Sequence, residues 1–172
     1  TLERAEHFVV RGMQRLMKAG AHAGQGHLGF SDRPLDIVLN AEQRAAVEAA
    51  FRDGVTIITG GPGTGKTTIV RMIMTLAGQR GEPWLLAAPT GRAARRLAEV
   101  TGADARTLHR LLEFTPRDGR FKRGLGNPLD ARGVLVDEAS MVDLRLMGAL
   151  LAAIPEGCRL VLVGDADQLP SV

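Results

Sequence analysis

The chain has 172 residues, 45% hydrophobic and 24% charged, which supplies one domain with a real core and leaves no room for two full domains. A single cysteine, Cys158, excludes an internal disulfide or a cysteine-based zinc site and points to the cytoplasm; no run approaches a membrane span or a secretory leader. Net charge is only +3, yet residues 90–132 carry ten basic side chains against five acidic ones, and the remainder is at −2. That local excess suits a nucleic-acid partner and equally suits solvated helix faces.

In chain order, residues 1–19 set Leu2, Ala5, Val9, Met13 and Leu16 on one stripe, with Arg4, Arg11, Arg15 and Lys18 largely off it. This predicts an amphipathic helix with no evident partner. Residues 19–30 are rich in Gly and His and predict an irregular boundary; His22 and His27 have no carboxylate or thiol beside them and read as loop histidines rather than metal ligands. The chain therefore divides into an N-terminal helix and connector over 1–38 and a main unit over 39–172.

In the main unit the pattern predicts helices at 41–51, 66–78, 91–100, 107–113 and 141–153, with strands at 55–59, 84–88, 134–137 and 159–163. Strands separated by helical crossovers imply an α/β fold, a parallel sheet flanked by helices with right-handed connections. Residues 115–133, with Pro116, Gly119, Gly124, Gly126 and Pro128, read as an irregular surface excursion; Phe114 and Phe121 are its few aromatics, which limits base stacking there. The sequence stops at Val172 soon after an apolar strand, so the sheet is expected to be incomplete, as in a fragment.

The chemistry concentrates in Gly60-Gly61-Pro62-Gly63-Thr64-Gly65-Lys66-Thr67, a G-x-x-x-x-G-K-[ST] pattern between a β-branched strand and a helix. Glycine amides can wrap a polyphosphate, the helix N-terminus adds positive potential, Lys66 reaches the terminal phosphates and the Thr67 hydroxyl ligates Mg2+. A glycine-rich turn matching by chance is the plain alternative. Val134-Leu135-Val136-Asp137-Glu138 is an apolar strand ending in two carboxylates, at the sheet edge where ligands bind. Asp137 would hold Mg2+ and Glu138 would orient and deprotonate the attacking water, unless the pair is merely a solvated acidic turn. Ser140, three residues before Asp143, reads as the cap of the helix at 141. Asp165 and Gln168 follow the last strand on the same edge, where a neutral amide can sense the γ-phosphate.

Six ordered segments resemble the motifs of superfamily 1 DNA helicases: Leu39–Gln43, Gly60–Thr67, Ala88–Ala94, Thr107–Leu111, Asp137–Met141 and Gly164–Val172. The Asp-Glu-Ala-Ser form followed by Met-Val-Asp is most similar to the RecD-like branch, which moves 5′ to 3′. The resemblance covers residues 39–172 and implies a RecA-like motor domain that binds ATP and Mg2+ and moves on single-stranded DNA. It assigns nucleotide contacts to Gln43, Gly61, Pro62, Gly63, Thr64, Gly65, Lys66, Thr67 and Thr68, and catalytic roles to Lys66, Glu138 and Gln168. It assigns DNA contacts to Pro89, Thr90, Arg92, Thr107 and His109. Each has a structural alternative: Asn40-x-x-Gln43 is a capping box, Thr90 an N-cap, His109 a loop or buried histidine. The family's second RecA-like domain, which supplies further arginines to the ATP site, has no counterpart in this sequence, so the chain resembles half a motor. A small-molecule phosphotransferase, a GTPase and a non-catalytic ATP-gated clamp are rival readings. The first does not need the Asp-Glu-Ala-Ser element, the second lacks the lysine of Asn-Lys-x-Asp at Asn127–Asp130, and the third is disfavoured by intact Lys66, Asp137 and Glu138.

Overall fold

In a computed structural model the described residues are 2–20, 37–61 and 63–165; His22, His27, Pro62 and Gln168 lie outside them. Strands β1 (Val55–Thr59), β2 (Trp84–Ala88), β3 (Ala105–Thr107), β6 (Gly133–Val136) and β7 (Arg159–Gly164) form one sheet in the order β1-β7-β6-β2-β3. Every pairing in it is parallel. The remaining elements are α1 (Leu2–Gly20), α2 (Ala41–Arg52), α3 (Lys66–Gln79), α4 (Gly91–Thr101), α5 (Leu108–Leu111), the hairpin strands β4 (Phe114–Thr115) and β5 (Arg120–Phe121), a 3-10 turn at Ala139–Met141 and α6 (Leu144–Ala153).

The central strands read as continuous apolar runs because both faces are covered. Their alternating side chains divide into two cores. Leu135, Val161 and Val163 point to the face packed by α2 and α3, with Ile69, Ile73 and Leu76. Val134, Val136, Leu160 and Leu162 point to the other, with Leu150 and Leu151 of α6 and Ile154 at its C-cap. At the far edge from the strand ends, Gly133 is required by close approach: a Cβ there would collide with the Trp84 indole. The indole N–H donates to Glu82 at 3.3 Å, and the Arg159 guanidinium donates to the same carboxylate oxygen at 3.1 Å.

The partner of α1 is α6. Leu16 is fully buried in the second core, with Val9 and Met13 packed against it. Gly12 permits the approach, since a Cβ there would come within 3.0 Å of Leu151. Arg15 is not simply solvated: its guanidinium donates to the carbonyls of Leu151 at 2.7 Å and Ile154 at 2.9 Å, two acceptors at the helix C-terminus that have no intrahelical donor.

Three expectations are corrected. The helix after the acidic strand begins at Leu144, not at 141, and its cap is Asp143, whose carboxylate accepts from the Leu146 amide at 2.7 Å. Ser140 instead lies within the 3-10 turn. The helix expected at 107–113 is four residues long, and ahead of it Ala-Arg-Thr at 105–107 forms a fifth parallel strand beside β2. Residues 115–133 are not wholly irregular: β4 and β5 pair antiparallel, and Arg123 bonds Glu113 at 2.7 Å across the hairpin base. Leu129 and Ala131 are buried, and the Leu129 amide donates to Ala153 at 2.8 Å. No described helix is long and apolar enough to cross a membrane.

Cys158 is 2% exposed, and burial pushes its thiol up to about 12. A thiol pKa raised on folding favours the native state below the unfolded value near 9 and loses that contribution as pH rises towards 12. Iodoacetamide at pH 8 should therefore label Cys158 only at the rate of unfolding, while urea-unfolded chain labels at the rate of a free thiol; equal rates in the two states would place the thiol at the surface.

Candidate nucleotide-binding site

Since all five sheet strands run the same way, the segments after β1, β2, β3, β6 and β7 leave from one edge. Three of them, with α3 and α4, enclose a cavity of about 530 Å3. It is lined by Gly61, Gly63, Thr64, Gly65, Lys66 and Thr67 from the glycine loop, Asp137 and Glu138 after β6, Asp165 after β7, and Ala93, Arg96, Leu97 and Val100 of α4.

The loop is built by glycine. Gly63 and Gly65 sit at φ 79° and 83°, a left-handed conformation that a side chain disfavours. At Gly65 there is a second constraint, because a Cβ would collide with the Gln43 amide nitrogen. Gly65 is also the N-cap of α3 and offers no side-chain acceptor; the Thr68 amide donates to the Gly65 carbonyl, and the Lys66 and Thr67 amides of this 14-residue helix are the ones open to a ligand. The Lys66 ammonium donates to the Gly60 carbonyl and, at 3.1 Å, to that of Gly61, while the Thr64 hydroxyl donates to Gly61 at 2.9 Å. Both side chains thus fold the loop onto itself.

Asp137 follows the last residue of β6, and its amide donates to Ala87 of β2 at 2.9 Å. Its carboxylate accepts from the Glu138 amide at 2.9 Å. Glu138 takes φ 51° and ψ 40°, one of two non-glycine residues at positive φ among those described. This conformation turns the chain sharply out of the strand and keeps the Glu138 side chain on the cavity. Thr67 is exposed on the first turn of α3 and Asp137 is half-buried across the cavity. A hydroxyl and a carboxylate are hard oxygen donors of the kind Mg2+ takes, with the rest of its shell left to water and phosphate, so the donor set fits that ion.

The other sequence-derived residues fall nearby. Gln43 is outside the cavity, beside Gly65, in a complete capping box: its side-chain carbonyl oxygen accepts from Asn40 N at 3.1 Å and its backbone N–H donates to Asn40 Oδ1 at 2.8 Å. Thr68 is half-buried in α3, its amide bonded to Gly65 at 3.0 Å, and does not line the cavity. Thr90 caps α4 and Thr107 caps α5, each accepting an amide at 3.2 Å. Pro89 is half-buried and Arg92 exposed beside Thr90. His109 is exposed, its ring edge-on to Phe114 at 5.3 Å and tilted against Phe121 at 5.8 Å, so the hairpin aromatics are occupied by each other and by this histidine. Arg96 lines the cavity, although in the sequence it stands out only as one member of the basic run; the signal was there in the i, i+3, i+4, i+7 spacing of Ala93, Arg96, Leu97 and Val100.

A parallel sheet with a glycine loop between β1 and α3 and paired carboxylates after an inner strand defines a RecA-like phosphate-loop domain. Residues 43–172 match the family model described as an AAA domain. The chain is 47% identical to the RecBCD enzyme subunit RecD of Mycobacterium tuberculosis, over 76% of this chain and 27% of that one. To the ATP-dependent RecD2 DNA helicase of Deinococcus radiodurans it is 46% identical, over 78% of this chain and 18% of the relative. Among solved structures, the Pif1 helicase from Bacteroides in complex with ADP-AlF3 and ssDNA superposes with a TM-score of 0.51 and 28% identity, covering 80% of this chain and 34% of that one. The chain belongs to the AAA-domain family and is similar over about three quarters of its length to RecD-like helicases. It spans roughly a quarter or less of the two curated relatives.

The left-handed backbone at Glu138 costs about 1 kcal/mol for a residue with a side chain, less for asparagine, which tolerates that conformation. Glu138→Asn should raise the urea midpoint, by up to about 1 kcal/mol of stability, with an unchanged slope. A fall in stability of similar size would show that the glutamate is held without strain.

Proposed function

We propose that this chain is the first motor domain of an ATP-dependent DNA helicase that couples ATP binding and hydrolysis to translocation on single-stranded DNA and to duplex unwinding. The observation that carries this is the single cavity shared by Lys66, Thr67, Asp137 and Glu138. On this reading the glycine amides and the α3 N-terminus hold the β- and γ-phosphates. Lys66 exchanges its carbonyl acceptors for phosphate oxygens, replacing neutral acceptors by charged ones. Thr67 and Asp137 hold Mg2+, which when bound neutralises charge developing on the phosphates. Glu138 accepts a proton from the attacking water, and Gln168, after β7, would sense the γ-phosphate. Gln43 keeps its capping bonds and presents its amide edge to the purine.

The DNA path would run along Pro89, Thr90, Arg92, Thr107 and His109, at the ends of neighbouring strands β2 and β3. A second RecA-like domain in the full-length protein would close this half site and supply arginine to the transferred phosphate, a contribution worth about 10³ to 10⁵ in rate, so the chain by itself should bind nucleotide far better than it hydrolyses it. A buried, unpaired thiol agrees with a cytoplasmic setting.

Two expectations test the reading. Glu138→Gln in the full-length protein should leave nucleotide affinity within a few-fold and stop steady-state hydrolysis; undiminished turnover would remove Glu138 from the role of base. Single-stranded DNA should bind weakly, with a log-log salt slope of about −0.7 per phosphate neutralised. For two to four phosphates that is about −1.4 to −2.8, and fluorescence anisotropy should show charge reversal at Arg92 flattening the slope more than reversal at Arg4. Equal slopes for the two variants would put the DNA path elsewhere.

A further inference from the structure

Helix α4 carries three arginines, Arg92, Arg95 and Arg96, and all are exposed. Only one of them borders the nucleotide cavity. Ala93, Leu97 and Val100 make the inward stripe of the helix, and Arg96 falls at its flank, so a cation is placed where the spacing otherwise supplies apolar packing. Nearby arginines have settled partners: Arg106 pairs with Asp104 at 2.8 Å and Arg123 with Glu113 at 2.7 Å. Arg96 makes no ion pair or hydrogen bond with the described residues.

Its companions in the cavity lining indicate the ligand atoms it would meet. The purine-side residue Gln43 does not line the cavity, whereas Asp137, Glu138, Thr67 and Asp165 do. Arg96 therefore lines the same cavity as the groups that would meet the terminal phosphate and the attacking water. Charge points the same way. Three carboxylates line this cavity against Lys66 and Arg96, and Lys66 is anchored at the loop carbonyls. Ala93, one turn before Arg96, is small enough to leave room for a guanidinium to swing inward, and a planar fork of five donors suits bidentate contact with phosphate oxygens.

We propose that Arg96 is a terminal-phosphate ligand supplied by this domain itself, so that the chain distinguishes nucleoside triphosphate from diphosphate before any second domain closes on it. The inference rests on residues 60–67 being the phosphate loop, and the test keeps the two apart. Affinities for Mg-ATPγS and Mg-ADP are measured by calorimetry on wild type, R96A, R96K and K66A, with circular dichroism as a check on folding and single-stranded DNA salt slopes recorded alongside. Loss of one charge-assisted contact should weaken ATPγS binding by R96A about tenfold or more while ADP stays within about twofold. R96K should recover part of the loss and the DNA slope should not move. R96A binding both nucleotides as wild type does, or losing both equally, while K66A abolishes binding, would overturn the role of Arg96 and leave the loop standing. A flattened DNA slope with intact nucleotide affinities would overturn it too, placing Arg96 on the DNA path. K66A binding both nucleotides like wild type would remove the phosphate loop, and this inference with it.

Discussion

Parallel pairing of five strands is the constraint on which the rest of the molecule depends. It sends every strand's carboxyl end to one edge, so that the glycine loop after β1, the acidic pair after β6 and Asp165 after β7 meet although more than 100 residues separate the first from the last. Parallel strands need crossovers, and the crossovers are the helices that cover both faces. That coverage explains the apolar strands, and the apolar strands in turn hold the edge still. A charged residue at Val134 or Val161, both fully buried, would disturb the site from the layer beneath it.

The edge itself is built differently from the sheet. The backbone there takes conformations closed to most side chains or lacks a side-chain cap: Gly63 and Gly65 at positive φ, Glu138 in a region that glutamate rarely occupies, and the first turn of α3 without a side-chain cap. Among the described residues, α2, α4, α5 and α6 are each capped by a side chain, with Asn40, Thr90, Thr107 and Asp143 each accepting an amide. The contrast between these four capped helices and the N-terminus of α3 marks where a ligand completes the structure. It also accounts for the way Lys66 and Thr64 turn back on the loop carbonyls, which gives their donors acceptors within the chain.

Much of this was legible in the residues. The β-branched run Val55–Thr59, the glycine pattern and the Val-Leu-Val-Asp strand are long, regular signals, and the observed β1, α3, β2 and α4 lie within a residue of the spans they predict. What escaped was set by tertiary contact. Ala105–Thr107 has no apolar pattern and is a strand only because β2 pairs with it. The Pro- and Gly-containing turn at 116–119 hid the two-residue strands on either side of it, which are held by the Phe114 and Phe121 rings at 5.0 Å rather than by a long ladder. Ser140 and Asp143 are both good caps, and the 3-10 turn that decides between them follows from the strained exit at Glu138. The partner of α1 was invisible because Leu151 and Ile154 lie more than 130 residues away. Arg96 was hidden in a basic run, and among the three arginines of α4 it is the one that borders the cavity.

The account stands on the glycine loop and the open end of α3 being where nucleotide is held. Hydrogen–deuterium exchange of the chain with and without Mg-ADP tests this most directly, because amides that take phosphate oxygens as acceptors exchange more slowly. Slowed exchange should be concentrated in residues 63–68, with the hairpin at 114–121 unchanged. Unchanged exchange across 63–68 at saturating nucleotide, or slowing confined to the hairpin, would contradict it.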